Sequence, residues 1–402
     1  MEPEETPQTA KRSGAAGAAL FPIMTAVFVG FLVIGIAIPV LPLHVHQGLG
    51  QSTFLVGLVV GSQFAAAILS RVWAGRHSDR RGPKRAVIVG LSIAAVAGLL
   101  YMLSLRFAGA PTVSVSILLI GRAMLGVGES FIITGAQSWG LAILGLRNTS
   151  KVLAWVGSAM FGAFATGAPI GTLLYAQYGF GAIALAATLL PVATLLLLIP
   201  LRPIAVTARV RTGLLKVMSS VWLPGLGSAF STLGFGGVTA FSALLFDARG
   251  WPAWAAFTTF ALTFILARIT LGHLADRLGG AKVALACVLI EAAGLVLIAV
   301  TPQLPLALVG AASIGLGYSL VYPGLGVEAI RRVPPHDRGL AMGAYTAFLD
   351  VALGFGTPAL GLVAGFAGLG SVFLISALSA LCAAPIAASF LRPGPTAHLV
   401  TG

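Results

Sequence analysis

From residue 20 onward the chain is written in apolar runs of about 20 residues or more, each closed by a short polar break. A helix rises about 1.5 Å per residue, so about 20 residues cross a hydrocarbon core of about 30 Å. Runs of that length fall at 20–43, 53–75, 85–105, 113–143, 152–177 and 180–200. They resume at 219–246, 253–274, 282–301, 305–329, 339–366 and 369–391. The pattern predicts an all-α membrane protein with twelve transmembrane helices in two sets of six. The expected organisation is a polar tail at 1–19, a six-helix bundle at 20–200, a linker at 201–218, a second bundle at 219–391 and a tail at 392–402.

Composition narrows the class. Hydrophobic residues make up 58% of the chain and charged residues 9%, with a mean hydropathy of +0.99. A soluble domain carries about 25% charged residues, so this one could not cover a water-facing surface. The net charge of +13 lies in short turns rather than along a stripe, which excludes nucleic acid as an expected partner. Nineteen of the 24 Lys and Arg residues fall on the side shared by both ends and the linker. Arg106 and Arg249 alone fall on the other, and Arg71, Arg122 and Arg268 fall within helices. The positive-inside rule then places both termini in the cytoplasm. The first apolar run is too long for a signal peptide and reads as an uncleaved helix. Cys287 and Cys382 have no metal-ligand or redox spacing, and His44 and His46 have no third ligand near them in sequence. No metal and no cofactor are expected.

The chain also repeats. SRVWAGRHSDRRGPKR aligns with ARITLGHLADRLGGAK, pairing Arg71 with Arg268, Gly75 with Gly272, Asp79 with Asp276, Arg80 with Arg277 and Gly82 with Gly279, each 197 residues apart. TGAPIG at 166–171 is echoed by FGTPALG at 355–361. Both echoes join helices six apart. Two parallel six-helix halves are a transporter design with the substrate site near the midplane.

These residues carry a resemblance. Gly75-x-x-x-Asp79-Arg80-x-Gly82-x-Lys84-Arg85 resembles the signature between helices two and three of the major facilitator superfamily, with a weaker copy from Gly272 to Lys282. Arg122-x-x-x-Gly126-x-Gly128 is similar to the family's second motif. Gly162-x4-Gly167-Ala-Pro169-x-Gly171 resembles the Gly-Pro motif of its exporter branches, with Ala168 replacing the usual Gly. Gly35-x-x-x-Pro39-Val-Leu-Pro42 resembles helix one of twelve-helix drug–proton antiporters, and the whole is most like bacterial sugar-efflux branches. The resemblance implies a cytoplasmic latch, with Asp79 near the start of helix eleven and Asp276 near the start of helix five. A helix N-terminus favours a carboxylate by about 0.3–1 kcal/mol. Gly75 and Gly82 would permit close packing and a tight turn, and Arg76, Arg80, Arg81, Lys84 and Arg85 would meet anionic headgroups.

Ionisable groups inside spans cost about 2.5–3.5 kcal/mol at the bilayer centre and usually serve function. Arg122 is a candidate substrate or coupling residue, or else an arginine paired with backbone carbonyls. Glu129 and Asp350 are candidate proton carriers. Glu291 reads as a hydrogen-bonding partner for a neighbouring helix, and Glu328 as an ion-pair partner of Arg331 or Arg332. Arg71 and Arg268 are expected to snorkel towards the cytoplasmic surface. Gln63, Gln137, Trp139, Ser231, Thr232, Tyr318 and Tyr322 line a cavity or form core and interhelical bonds.

The reading is a secondary transporter of the bacterial inner membrane, working as a monomer in the lipid bilayer. It exchanges protons for a small-molecule substrate by alternating access, in the efflux direction. A proton-linked importer of a sugar, organic anion or peptide is the alternative, and a membrane receptor or scaffold the non-transport one. No Gly-x-Ser-x-Gly and no His-Glu-x-x-His occurs, so no enzyme is expected.

Overall fold

In a computed structural model describing residues 7–145, 149–201, 214–333 and 338–391, the apolar runs are helices, and no strand occurs among the described residues. α1 (Pro7–Ala37) leads into the short α2 (Val40–Leu43) and one π-helical turn (His44–Gly48). The interruption follows from Pro39 and Pro42, whose missing N–H groups leave two helical bonds unmade. Next come α3 (Thr53–Arg81), α4 (Pro83–Arg106), α5 (Pro111–Leu144), α6 (Thr149–Tyr178) and α7 (Phe180–Leu198). The second set is α8 (Leu214–Ala248), α9 (Ala255–Leu271), α10 (Leu274–Leu278), α11 (Gly280–Val300), α12 (Leu304–Ile330), α13 (Arg338–Ala367) and α14 (Leu369–Ser389). Among the described residues eleven helices are long and apolar enough to cross a membrane. The expected eighth span is the 17-residue α9, which resumes as α10 after Gly272 and His273.

Three boundaries differ from the hydropathy pattern. α1 begins at Pro7 within the expected tail, and α8 begins at Leu214 within the expected linker. α3 runs on to Arg81, so most of the charged signature is helix rather than loop. Hydropathy marks where a helix is apolar, whereas its hydrogen-bond ladder continues until a residue breaks it. Nothing from Arg76 to Arg81 does so; Gly82 and Pro83 do. Gly82 is the whole connection, with φ +96° and Pro83 at the first position of α4. Gly279 repeats this between α10 and α11 with φ +95°. Side chains avoid that region, which accounts for glycine at both.

Two compact units emerge: Met1–Ala37 with Ala66–Val210, and Ile38–Ala65 with Arg211–Gly402. In the first, α1 packs on α6, and α4 on α5 and α7. In the second, α8 packs on α13, and α11 on α12 and α14. The partner order is therefore repeated. Within the second unit the segment 38–65 is tied to α13: Thr53 Oγ1 donates to Gly361 O at 2.8 Å, and Thr357 Oγ1 to Gly57 O at 3.0 Å. Arg249, past the end of α8, donates to the carbonyls of Ile298, Ala299 and Thr301 and so caps α11.

Candidate functional site

In the first unit α5 carries Arg122 and Glu129, 2% and 8% exposed. α4 and α5 cross where Gly90 and Gly128 press backbone on backbone; a Cβ on either would lie within 2.7 Å of the other's carbonyl oxygen. The room at Gly128 is therefore taken by α4. Gly121 does the same for Tyr101, whose ring would sit 2.9 Å from an added Cβ. That brings the Tyr101 hydroxyl into electrostatic contact with Arg122. Arg122 Nε and Nη1 donate to nothing among the described residues. Trp139 is buried and Gln137 half-buried further along α5.

The helix-five motif of the sequence lies on α6. Gly167 meets the backbone of Gly35 and Ile36 on α1, and Gly171 meets the Ile36 carbonyl. Gly162 is different, since a Cβ there would come no closer than 3.9 Å, to Phe28. Two of the three motif glycines thus serve one helix crossing.

The signature residues divide. Asp79, Arg80 and Arg85 are exposed. Arg76, His77, Arg80 and Arg81 line a cavity of about 340 Å³ beside Trp73. Lys84 departs from the headgroup expectation: it is buried, and its Nζ donates to Ile199 O at 2.7 Å and to Leu201 O. Those carbonyls close α7, where a cation satisfies groups that the helix leaves open. Gly75 also differs, because a Cβ there would meet nothing within 4 Å among the described residues. At Gly272, the C-cap of α9, an added Cβ would meet the carbonyl of Arg268 one turn back in the same helix. Arg277 is exposed. The latch partners, residues 334–337 and 146–148, and the side chain of Asp276 lie outside the described residues.

In the second unit Asp350 of α13 is 8% exposed and Gln63 of α3 is fully buried. Tyr318 of α12 stacks on Phe235 with ring centroids 5.1 Å apart. Its hydroxyl bonds Thr232 of α8, and it is in electrostatic contact with both Asp350 and Glu291. Tyr322 belongs to a second chain of hydroxyls. Tyr345 donates to Tyr322 O at 2.8 Å, which leaves Ser228 to donate to Tyr345 at 2.7 Å. Thr346 donates to Met342 O, so Tyr322 donates to Thr346 at 2.9 Å. Tyr318 is accordingly a core residue with a polar tip, and Tyr322 an interhelical bond. Sequence reading missed Tyr101 and Tyr345; the available signal was a tyrosine inside an apolar run, whose hydroxyl needs a buried partner. Glu328 and Arg331 form the expected ion pair at 3.5 Å. No group of His, Cys, Asp and Glu able to hold a metal occurs among the described residues.

Arg268 does not snorkel outward. Its Nη1 donates to Ser319 O on α12 at 2.8 Å. Four residues beyond Ser319 stands Pro323, which has no N–H to offer that carbonyl. Arg268 supplies the missing donor. The two residues should therefore be coupled: Arg268→Ala costs about 1.5–3 kcal/mol of stability in the parent, and markedly less when Pro323→Ala restores the helical bond. Thermal unfolding of the two single variants and the double variant reads the coupling directly.

The Major Facilitator Superfamily model matches residues 23–258 and 226–401. The chain is 42% identical over 374 residues to an uncharacterized MFS-type transporter of Salmonella typhimurium, covering 93% of this chain and 96% of that one. Among solved structures, the nucleoside transporter NupG superposes with a TM-score of 0.73 at 17% identity, over 94% of this chain and 100% of that one. A D-xylose-proton symporter gives 0.74 at 15% identity, over 92% and 97%. With its duplicated helix order and its polar groups buried inside apolar spans, the chain belongs to the major facilitator superfamily and is a multi-pass membrane transporter, not an enzyme.

Proposed function

We propose that this transporter exports a small organic solute in exchange for protons, by alternating access across a bacterial inner membrane. The observation that carries the reading is the burial of Arg122, Glu129 and Asp350 inside spans where an ion is costly. Arg122 engages the substrate or the coupling group, and Glu129 or Asp350 carries the proton. Substrate and proton have different affinities for the two states, which is the only way either can bias them. The export direction is supported by the exporter-like motif of α6, whose Gly167 and Gly171 meet the backbone of α1. The Lys and Arg asymmetry supports cytoplasmic termini, and Asp79 and Asp276 are the proposed latch acids. One chain holds both halves and acts as a monomer.

Proteoliposomes test the coupling. Candidate solutes that raise the melting temperature in detergent are loaded, and a pH gradient is imposed. Solute moving against the inward proton gradient supports exchange. Movement with the protons gives the importer instead, and flux indifferent to pH removes proton coupling altogether.

A further inference from the structure

The second unit holds a buried acid that the proposed reaction leaves unused. Glu291, at the middle of α11, is 0% exposed. Ser231 of α8 donates to its Oε2 at 2.5 Å, and Oε1 has no hydrogen-bond partner among the described residues. The backbone of α8 lies over Oε1 at Gly234, where a Cβ would stand 2.7 Å away. On the opposite side α12 closes in at Gly317, whose Cβ would lie 2.8 Å from Glu291 N and 2.9 Å from its Cβ.

The internal repeat shows that packing does not call for an acid there. Cys287 stands 197 residues after Gly90, the spacing of the signature pairs. Gly317 presses on the Cys287 carbonyl as Gly128 presses on that of Gly90. One turn along, the residue facing Gly128 is Ala94, and the one facing Gly317 is Glu291, again 197 residues on. The same crossing is built with alanine in one unit and glutamate in the other.

No cation among the described side chains faces this glutamate. Its own helix contributes Cys287, and α12 contributes Tyr318, both in electrostatic contact with it. The other titratable residues on α11 and the helices packed against it are the exposed Lys282 on α11 itself, Lys216 and Asp247 near the ends of α8, Asp276 and Arg277 on α10, Tyr322 and Glu328 on α12, and Cys382 on α14. Among the described residues its one bonding partner is Ser231. A carboxylate buried without a counter-ion costs several kcal/mol, more than one hydroxyl donor returns.

We infer that Glu291 is a second, internal proton site: neutral while α8 is packed at Gly234, and exchanging its proton only when α8 shifts and admits water. On that shift the proton passes from the carboxyl to water, and the resulting carboxylate favours the displaced α8. Tyr318 extends the effect towards Asp350, with which it is also in electrostatic contact. The role in transport rests on the proton-coupled reading above; the charge state does not.

Infrared absorption of the full-length protein in lipid tests the charge state. The parent-minus-Glu291→Gln difference at neutral pH should contain the carbonyl band of a neutral carboxylic acid. A carboxylate band in its place overturns the proposal. Hydrogen exchange of the peptide spanning Ser231 and Gly234, corrected for intrinsic rate, tests the coupling. It should depend on pH in the parent and lose that dependence in Glu291→Gln, which copies the neutral acid. A pH dependence that survives unchanged overturns the link to α8. Glu291→Ala, which installs the residue of the first-unit counterpart, serves both measurements if the Gln variant does not fold. A neutral-acid band in a protein whose flux ignores pH retires the proton-coupled reading and keeps the neutral Glu291.

Discussion

Arg122→Gln leaves the protein folded, with a melting temperature equal to or above the parent's, and lowers solute flux by roughly 10- to 100-fold. The two halves of that expectation share one cause. A guanidinium 2% exposed inside a span carries a desolvation cost, and two of its three nitrogens, Nε and Nη1, donate to nothing among the described residues that would offset it. A neutral amide relieves that cost, so stability does not fall. Transport falls because a charged hydrogen bond to substrate or coupling group contributes about 1.5–3 kcal/mol, and about 1.4 kcal/mol is tenfold. Arg268 is the useful contrast. It is spent on the Ser319 carbonyl, so its loss should appear as instability. Melting in detergent and flux in proteoliposomes separate the two arginines. Arg122→Gln that melts several degrees lower with flux intact would make Arg122 a structural residue.

Gly171→Ala should destabilise the first unit, while Gly162→Ala on the same helix should be neutral or stabilising. An alanine raises helix propensity by about 1 kcal/mol over glycine at either position. At Gly162 nothing opposes that gain, since the nearest atom to the new methyl is 3.9 Å away. At Gly171 the methyl would run into the Ile36 carbonyl. Backbone cannot swing aside as a flexible side chain does, so α1 and α6 must separate. Overpacking of that kind costs about 1–3 kcal/mol or more, and at a backbone contact the upper end applies, which outweighs the propensity term. Paired thermal melts of the two variants provide the comparison, and equal melting temperatures would mean that α1 and α6 yield freely at this crossing.

The helices were legible because membrane spans follow length and apolarity, and both are written one residue at a time. Their ends were less so. Arg76 to Arg81 read as loop because they are charged, yet charge does not stop a helix that has reached water. The repeat was legible from Asp79 with Asp276 and Gly82 with Gly279, and the two glycines adopt nearly the same backbone angles. The site was legible only as a set of buried charges. That Lys84 closes α7, that Arg268 serves the carbonyl freed by Pro323, and that Tyr345 and Ser228 join Tyr322 are contacts between residues tens to more than a hundred positions apart. Helical spacing within one span has no means of encoding them. Glu291 was legible as buried and bonded, but its asymmetry with Ala94 needed the two crossings side by side.

The single-residue turns at Gly82 and Gly279 have a mechanical consequence. A connection of one residue has no slack, so neither α3 and α4 nor α10 and α11 can slide along one another without unwinding a helix end. The foot of α4 must therefore follow the end of α3 through any stroke, and that of α11 the end of α10, with rotation about one glycine as the freedom left at each joint.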